Sequence, residues 1–444
     1  MNLTITPTQL QGSITPPPSK SQAHRLIIAA ALAEGTSRLS NVAFSQDIEA
    51  TLSCMEELGA AVDRQGNTLV ITGLGAGPMS PLRRLAHPRL DCGESGSTLR
   101  FLIPVALAVR GGGSFTGRGR LMERPQQPYF DLFDQKDISY EARERELAVT
   151  GLLTPGAYTL PGNVSSQFVT GLLYALPLLA GDSVIRLTTE LESADYVAMT
   201  RDALKRFGVA VTWPEPRAFH IPGGQRYTPC DTAVEADWSQ AAFWYAAAGM
   251  GSPVEVRGMD PRSIQGDRVF VDWARMLRGE PLTGGLSASV PILGKGGTAP
   301  TEPVSGGRSA VSIDVSHAPD LVPPLAALGA LTPHTDLYIK NAARLRIKES
   351  DRLSSVTAAL TAMGADVTEL ADGLIIRGQP TLAGGCVVDS CNDHRIAMMS
   401  AIAATRCAAP VTLLGADCVA KSYPDFWEDY AALGGIITKS EGSP

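Results

Sequence analysis

Hydrophobic and polar positions along this chain fall into blocks, and the blocks recur at long range. Polar segments suited to a helix start stand at Ser19-Lys-Ser-Gln-Ala-His-Arg25, Glu94-Ser-Gly-Ser-Thr-Leu-Arg100, Ser165-Ser-Gln-Phe168, Asp237-Trp-Ser-Gln240, His317-Ala-Pro-Asp320 and Asn392-Asp-His-Arg395. Their first residues lie 75, 71, 72, 80 and 75 positions apart. Each leads into an Ala/Leu-rich stretch of about three turns, then a glycine or proline break and a Val/Ile/Leu strand pattern, as at Gly35-Thr-Ser-Arg-Leu-Ser. A second helix follows, closing on Glu57-Leu-Gly-Ala60, Arg206-Phe-Gly-Val209, Ala362-Met-Gly-Ala365 or Ala432-Leu-Gly-Gly435, where glycine suits a left-handed C-cap. Short alternating strands such as Thr68-Leu-Val-Ile-Thr72 and Gly373-Leu-Ile-Ile-Arg377 complete a unit of strand, helix, strand, helix, strand, strand. Six such units, the third and fourth the most blurred, fit either a solenoid or two globules of three units each. The long period favours two globules, with crossovers near Pro16-Pro-Pro18 and in Pro222-Gly-Gly-Gln-Arg-Tyr-Thr-Pro229. The loop Phe133-Asp-Gln-Lys-Asp-Ile138 breaks the glycine rule at the end of its repeat.

Composition narrows the function classes. With 444 residues, 44% hydrophobic and 19% charged, the chain buries a sizeable core. The longest apolar runs, Leu26 to Ala33 and Phe101 to Val109, are bounded by arginines and too short for a membrane span. The amino terminus carries no basic region ahead of an apolar core, so a cytoplasmic protein is expected. Seven cysteines without CxxC spacing fit reduced thiols, and the six histidines have no ligand spacing, so neither metal nor redox cofactor is expected. A net charge of -7 argues against nucleic acid and anionic membranes as partners. Anionic small molecules would need positive charge gathered locally. Helix starts provide it through their unpaired amides, in the company of Lys20, Arg25, Arg100 and Arg395. Taken singly, each polar start also reads as simple capping.

Six segments carry a closer likeness. Pro18-Ser-Lys-Ser-Gln-Ala-His-Arg25, Glu123-Arg-Pro125, Val164-Ser-Ser-Gln-Phe168, Arg346-Ile-Lys-Glu-Ser-Asp-Arg352, Asn392-Asp-His-Arg395 and Ala420-Lys-Ser-Tyr-Pro-Asp425 resemble, in order and over nearly the whole chain, signature segments of the 5-enolpyruvylshikimate-3-phosphate synthases. The resemblance implies an α/β fold, a two-lobed inside-out α/β barrel of six βαβαββ repeats, three per lobe, with the active site in the interlobe cleft. On that reading one lobe comprises residues 1–19 plus 230–444, and the other residues 20–229. It implies transfer of the enolpyruvyl group of phosphoenolpyruvate to shikimate 3-phosphate, by a monomer without a cofactor.

Carried over position by position, the resemblance assigns phosphoenolpyruvate to Lys20, Gly96, Arg124, Arg352, Arg395 and Lys421. It assigns shikimate 3-phosphate to Lys20, Ser21, Arg25, Ser165, Ser166, Gln167, Tyr196, Asp314 and Lys348. Lys20, Asp314 and Glu349 are the implied catalytic groups. The chemistry agrees: arginine forks match phosphate and carboxylate, and hydroxyls and amides suit a hydroxylated ring. Plain alternatives stand beside these assignments. Ser165 and Ser166 serve as helix caps, Tyr196 as a packed aromatic, Glu349 as an ion-pair partner and Asp314 as a cap. Glu94 and Ser97 depart from the family's Asn-Ala-Gly-Thr, and Arg344 stands where asparagine is common. Two rival readings are a UDP-N-acetylglucosamine enolpyruvyl transferase and a noncatalytic anion-binding scaffold. The former carries a reactive cysteine in the loop matching Gly117 to Arg124, where this chain has none; the latter has no use for the carboxylates.

Overall fold

The computed structural model describes residues 1–75, 87–280, 303–304 and 308–440. They divide into two compact units, Met1–Pro17 with Ala236–Pro444, and Pro18–Glu235. The stretch Pro222 to Pro229 is no crossover. It is anchored inside the second unit by Tyr227, which is buried and donates to the Tyr174 carbonyl at 2.8 Å, and the chain continues to Thr232–Ala233, paired in parallel with Thr36–Ser40.

Within Pro18–Glu235 the helices are α1 (Lys20–Leu32), α2 (Gln46–Glu57), α3 (Gly96–Arg110), α4 (Gln127–Gln135), α5 (Ser166–Ala175) and α6 (Ala194–Arg206). Three four-stranded sheets go with them. The second sheet is typical: Arg89–Asp91 lies parallel to Gly112–Thr116, which runs antiparallel to Glu146–Thr150, itself paired with Ser139–Ala142. The first helix of each repeat is apolar nearly all round and is buried nearly all round, as α1, α3 and α5 are. Strands such as Thr68–Thr72 and Glu146–Thr150 alternate buried and more exposed positions, so their sheets keep one wetter face.

The packing of α3 on α5 depends on two sequence details. Pro104 inside α3 has no N–H to donate, which orphans the Arg100 carbonyl one turn back. The buried Tyr129 hydroxyl of α4 fills that gap, reaching Arg100 O at 2.7 Å and Phe168 O on α5 at 3.1 Å. Gly171 leaves the space: a Cβ there would stand 2.4 Å from both Arg100 O and the Tyr129 hydroxyl.

In the other unit, α7 (Trp238–Gly249), α9 (Val322–Ala330) and α11 (His394–Ala404) are buried, with α8 (Phe270–Leu277), α10 (Arg352–Ala362) and α12 (Phe426–Ala432) as the second helices. Strands from the start of the chain complete two of its sheets. Gly12–Ile14 pairs with Val254–Val256, and Asn2–Thr6 lies between Val411–Leu414 and Ile436–Ser440. In a further sheet of this unit, Arg308–Asp314 and Thr335–Lys340 run parallel and lead to the loops at Asp314 and Asn341.

The expected glycine stops are left-handed, with φ of 108° at Gly59, 78° at Gly208, 98° at Gly364 and 87° at Gly434. In the irregular second repeat Asp137 takes that role at φ 53°, an aspartate being among the few residues that tolerate it. Five helix starts are capped by side chains as the polar segments predict: Ser19, Ser95, Ser165, Asp237 and Asp393 accept from amides of α1, α3, α5, α7 and α11. The fifth repeat differs. A 3-10 turn over Pro319–Leu321 leads into α9 without a side-chain cap, and Asp320 is used elsewhere.

Tyr129→Phe keeps the ring and removes the donor, so it should cost about 1–3 kcal/mol by leaving the buried Arg100 carbonyl short of a partner. Urea unfolding of the variant checks this, and Gly171→Ala should be worse still because backbone, not a flexible tip, must move.

Candidate active site

Each unit gathers its own cluster of cations at its buried helix starts. In Pro18–Glu235, Lys20 at the head of α1 donates to Asp47 Oδ2 of α2 at 2.7 Å. Arg25, one turn on, is buried and ties α1 to α6: Nε donates to Thr200 Oγ1 at 2.9 Å, Nη2 to the Tyr196 carbonyl at 2.9 Å and Nη1 to the Ser21 carbonyl at 2.6 Å. Its guanidinium also lies 5.7 Å from the centre of the half-buried Tyr196 ring. Ser165 caps α5, Ser166 is buried in its first turn, and Gln167 accepts from Arg100 Nη1 at 2.8 Å while donating to Ser97 Oγ at 3.0 Å. Gln167 and Ser97 thus share one polar patch with Arg100.

Arg124 is the most telling group of this unit. It is buried, its Nε has no hydrogen-bond partner, and no carboxylate among the described residues pairs with it. Its guanidinium covers Gly96, the first residue of α3, so closely that a Cβ there would stand 2.5 Å from Nη1. Arg100 lies near enough that burial and the Arg124 charge together hold its pKa well below the ordinary arginine value. Two like charges without a carboxylate partner among the described residues, near the amino end of a 15-residue helix, could hold an anion. Glu94, the departure noted in the sequence, turns toward the Gly117 to Arg124 loop; its Oε2 is 2.7 Å from where a Gly119 Cβ would stand.

The other unit balances its cations internally. Arg352, at 1% exposure, donates through Nε to Asp393 Oδ2 at 2.7 Å, through Nη1 to Asp320 Oδ1 at 2.7 Å and through Nη2 to Glu349 Oε2. Lys348 Nζ lies 3.1 Å from the same Asp320 Oδ1, and Arg395 Nη2 lies 3.4 Å from Asp320 Oδ2. Arg395 also donates to Ser239 Oγ of α7 at 3.0 Å and to the Asp320 carbonyl at 2.9 Å. Lys421 is buried on the turn Ala416–Lys421 and donates to the Asn392 carbonyl at 2.6 Å. Asp314 is no helix cap: it accepts from the Ser316 amide at 2.9 Å and from Asn341 Nδ2 at 2.7 Å. Burial alone would raise its pKa, but those bonds and His317 hold it below the usual aspartate value. Arg344 donates to the Ser316 carbonyl at 2.5 Å, so it braces the Asp314 loop.

The profile of the family described as EPSP synthase (3-phosphoshikimate 1-carboxyvinyltransferase) matches residues 5–430. The chain belongs to the EPSP synthase family. A 3-phosphoshikimate 1-carboxyvinyltransferase of Clostridium novyi is 44% identical over 98% of both chains, and one of Clostridium kluyveri 45% identical over 98% of both. An EPSP synthase structure from Acinetobacter baumannii matches with a TM-score of 0.75 at 25% identity, covering 99% of this chain and 100% of that one. The enolpyruvyl transferase NikO of Streptomyces tendae shares the fold, with a TM-score of 0.70 at 17% identity.

Against the family's signature residues, four groups of this EPSP synthase chain went unassigned from sequence: Asp47 beside Lys20, Asp320 and Asp393 beside the arginines, and Ser239 beside Arg395. Asp393, Ser239 and Asp320 stand inside helix-start motifs, where capping is the plain expectation. Asp47 follows Ser45 at an ordinary helix start and gives no signal.

Burial pushes the Lys348 ammonium down to about 8, with Arg352 and Arg344 adding to the effect and Asp320 opposing it. Between about 8 and the ordinary 10.5, the unfolded chain keeps this proton and the folded chain does not. The cost of the buried charge is therefore fully present below that window and relieved as pH rises through it, so this group makes stability climb with pH. Lys348→Met should flatten that climb, as urea unfolding at pH values from 7 to about 10 would reveal.

Proposed function

We propose that this chain transfers the enolpyruvyl (1-carboxyvinyl) group of phosphoenolpyruvate to the 5-hydroxyl of shikimate 3-phosphate, releasing phosphate, as a step of aromatic amino acid biosynthesis. The observation that carries the reading is the full-length relatedness at 41% to 45% identity to proteins named for this activity. The side chains support it. Phosphoenolpyruvate brings a phosphate and a carboxylate, and Arg124 is a buried cation without a carboxylate partner among the described residues. With Lys20, Gly96, Arg352, Arg395 and Lys421 it makes up the proposed donor set. Ser21, Arg25, Ser165, Ser166, Gln167, Tyr196, Asp314 and Lys348, together with Lys20, make up the acceptor set.

In the reaction the acceptor oxygen bonds to C2 of phosphoenolpyruvate as a proton adds to C3. The tetrahedral adduct then loses that C3 proton and phosphate, restoring the double bond. Asp314 is ionised at neutral pH, as a group that takes the hydroxyl proton must be. Lys20, held on Asp47, faces the developing phosphate charge and returns protons to it. Glu349 is assigned the C3 proton. Arg352 Nη2 donates to Glu349 Oε2 and holds it in place. Arg25 acts on the acceptor chiefly through Tyr196 and Ser21, whose carbonyls it holds.

The reading of a UDP-N-acetylglucosamine enolpyruvyl transferase has less support. The Gly117 to Arg124 loop has no cysteine, and nearby Cys92 is wholly buried, its thiol pushed well above its ordinary pKa by burial and by Cys54. No helix among the described residues is long and apolar enough to cross a membrane.

Phosphate should appear when purified protein meets both substrates and not with either alone; release from phosphoenolpyruvate alone, or none from the pair, would overturn the assignment. Arg124→Ala should raise the KM for phosphoenolpyruvate by roughly ten- to hundredfold, the loss of a charge-assisted contact of about 1.5–3 kcal/mol. Gly96→Ala should act in the same direction by pushing the Arg124 guanidinium aside, with the acceptor KM little changed. Arg352→Ala is a poorer probe. It takes a cation from three carboxylates at once and should cost about 3–5 kcal/mol of stability whatever it does to binding. Glu349→Gln should lower kcat far more than it alters donor affinity, and equal losses would leave only the ion pair.

A further inference from the structure

Asp320 has no role in the assignments above, yet three cations of that site converge on it. The Pro319–Leu321 turn brings its carboxylate to the head of α9, where the other repeats use such a residue as a cap. Oδ1 is shared by Lys348 Nζ at 3.1 Å and Arg352 Nη1 at 2.7 Å, and Oδ2 faces Arg395 Nη2 at 3.4 Å. Its own carbonyl accepts from Arg395 Nη1 at 2.9 Å. We infer that Asp320 is a positioning residue common to both substrates, its one carboxylate fixing the acceptor-side Lys348 against the donor-side Arg352 and Arg395. This rests on the assignment of Lys348 to the acceptor and of both arginines to the donor.

The physical case is one of charge and geometry. Three cations so close repel one another unless an anion lies among them, and Asp320 is the carboxylate that faces all three. Glu349 pairs with Arg352, and Asp393 pairs with Arg352 and lies 4.0 Å from His394. A single oxygen bonded to both Lys348 and Arg352 fixes their separation, and hence the spacing of the two substrates' anionic groups. The same oxygen couples the sites: an anion that draws Arg352 away leaves Asp320 more fully to Lys348, and the reverse.

Two consequences separate this role from mere packing. Asp320 competes with the substrates for the cations, so removing its charge leaves the pocket more positive while losing the alignment. Affinity for phosphoenolpyruvate should hold or improve as turnover falls. Asp320 also favours the protonated form of Lys348, against burial and against Arg352 and Arg344, with Glu349 on its side. Without the Asp320 charge, Lys348 gives up its proton at a lower pH.

The test is steady-state kinetics of Asp320→Asn between pH 6.5 and about 9.5, beside the wild type. The expected result is a kcat lower by about tenfold or more, a phosphoenolpyruvate KM no higher than wild type, and an alkaline loss of shikimate 3-phosphate affinity that begins about one pH unit earlier. A kcat within about twofold of wild type overturns the inference, as does a rise in both KM values with the alkaline limb unmoved, which is the mark of a packing defect. If the asparagine variant does not fold, Asp320→Glu carries the test. The charge is kept but displaced by one methylene, so the alkaline limb should stay in place while kcat falls by about fivefold or more, and an undiminished kcat overturns the inference. A wild type that releases no phosphate from the substrate pair fails the functional reading itself, a result distinguishable from any of these.

Discussion

A helix that begins inside a protein must have its first amides satisfied there, and six helices of this chain begin in that way or close to it. Ser19, Ser95, Asp237 and Asp393 are almost wholly inaccessible, and each accepts from an amide of the helix it starts. Such a cap satisfies one or two of four orphan donors, which leaves partial positive charge at the helix mouth. Several of the buried polar side chains of each unit gather near these mouths. Lys20 and Arg395 follow their caps within a turn, and Arg100 follows Ser95 by about a turn and a half.

The two units solve the resulting electrostatic problem in opposite ways. In Pro18–Glu235, Arg100 is held by neutral acceptors, Gln167 Oε1 and the Pro125 carbonyl, and Arg124 by no carboxylate among the described residues. The cost of burying these cations is left for a ligand to offset. In the other unit Asp320, Glu349 and Asp393 pair with Lys348, Arg352 and Arg395, so these cations have carboxylate partners before any ligand arrives. An uncompensated cation binds strongly, whereas a compensated one is positioned accurately. A reaction that adds an alcohol to an enol phosphate requires both.

The elements and their order were legible in the sequence because each rests on local chemistry. Side-chain caps suit helix starts, and glycine suits left-handed stops, as the φ values at Gly59, Gly208, Gly364 and Gly434 bear out. Aspartate stood in at Asp137, a substitution that the glycine rule misses although the same backbone conformation is met. The family was legible for a different reason: signature segments spread over most of the chain constrain a reading that no single segment could. The stretch Pro222 to Pro229 misled because a Pro/Gly-rich composition marks a turn as readily as a link, and only the burial of Tyr227 tells them apart.

By itself, then, the sequence determined the repeat, the helix starts and which cations stand near them, since all of these are set within a few residues along the chain. Tertiary structure alone decided which carboxylate each cation meets. Asp47 and Lys20 are 27 positions apart, Asp320 and Arg352 are 32 apart, and Asp393 and Arg352 are 41 apart. Such partners are chosen by how one helix packs on the next, and the strength of a buried charge pair depends on distances of a few tenths of an ångström that no spacing along the chain encodes.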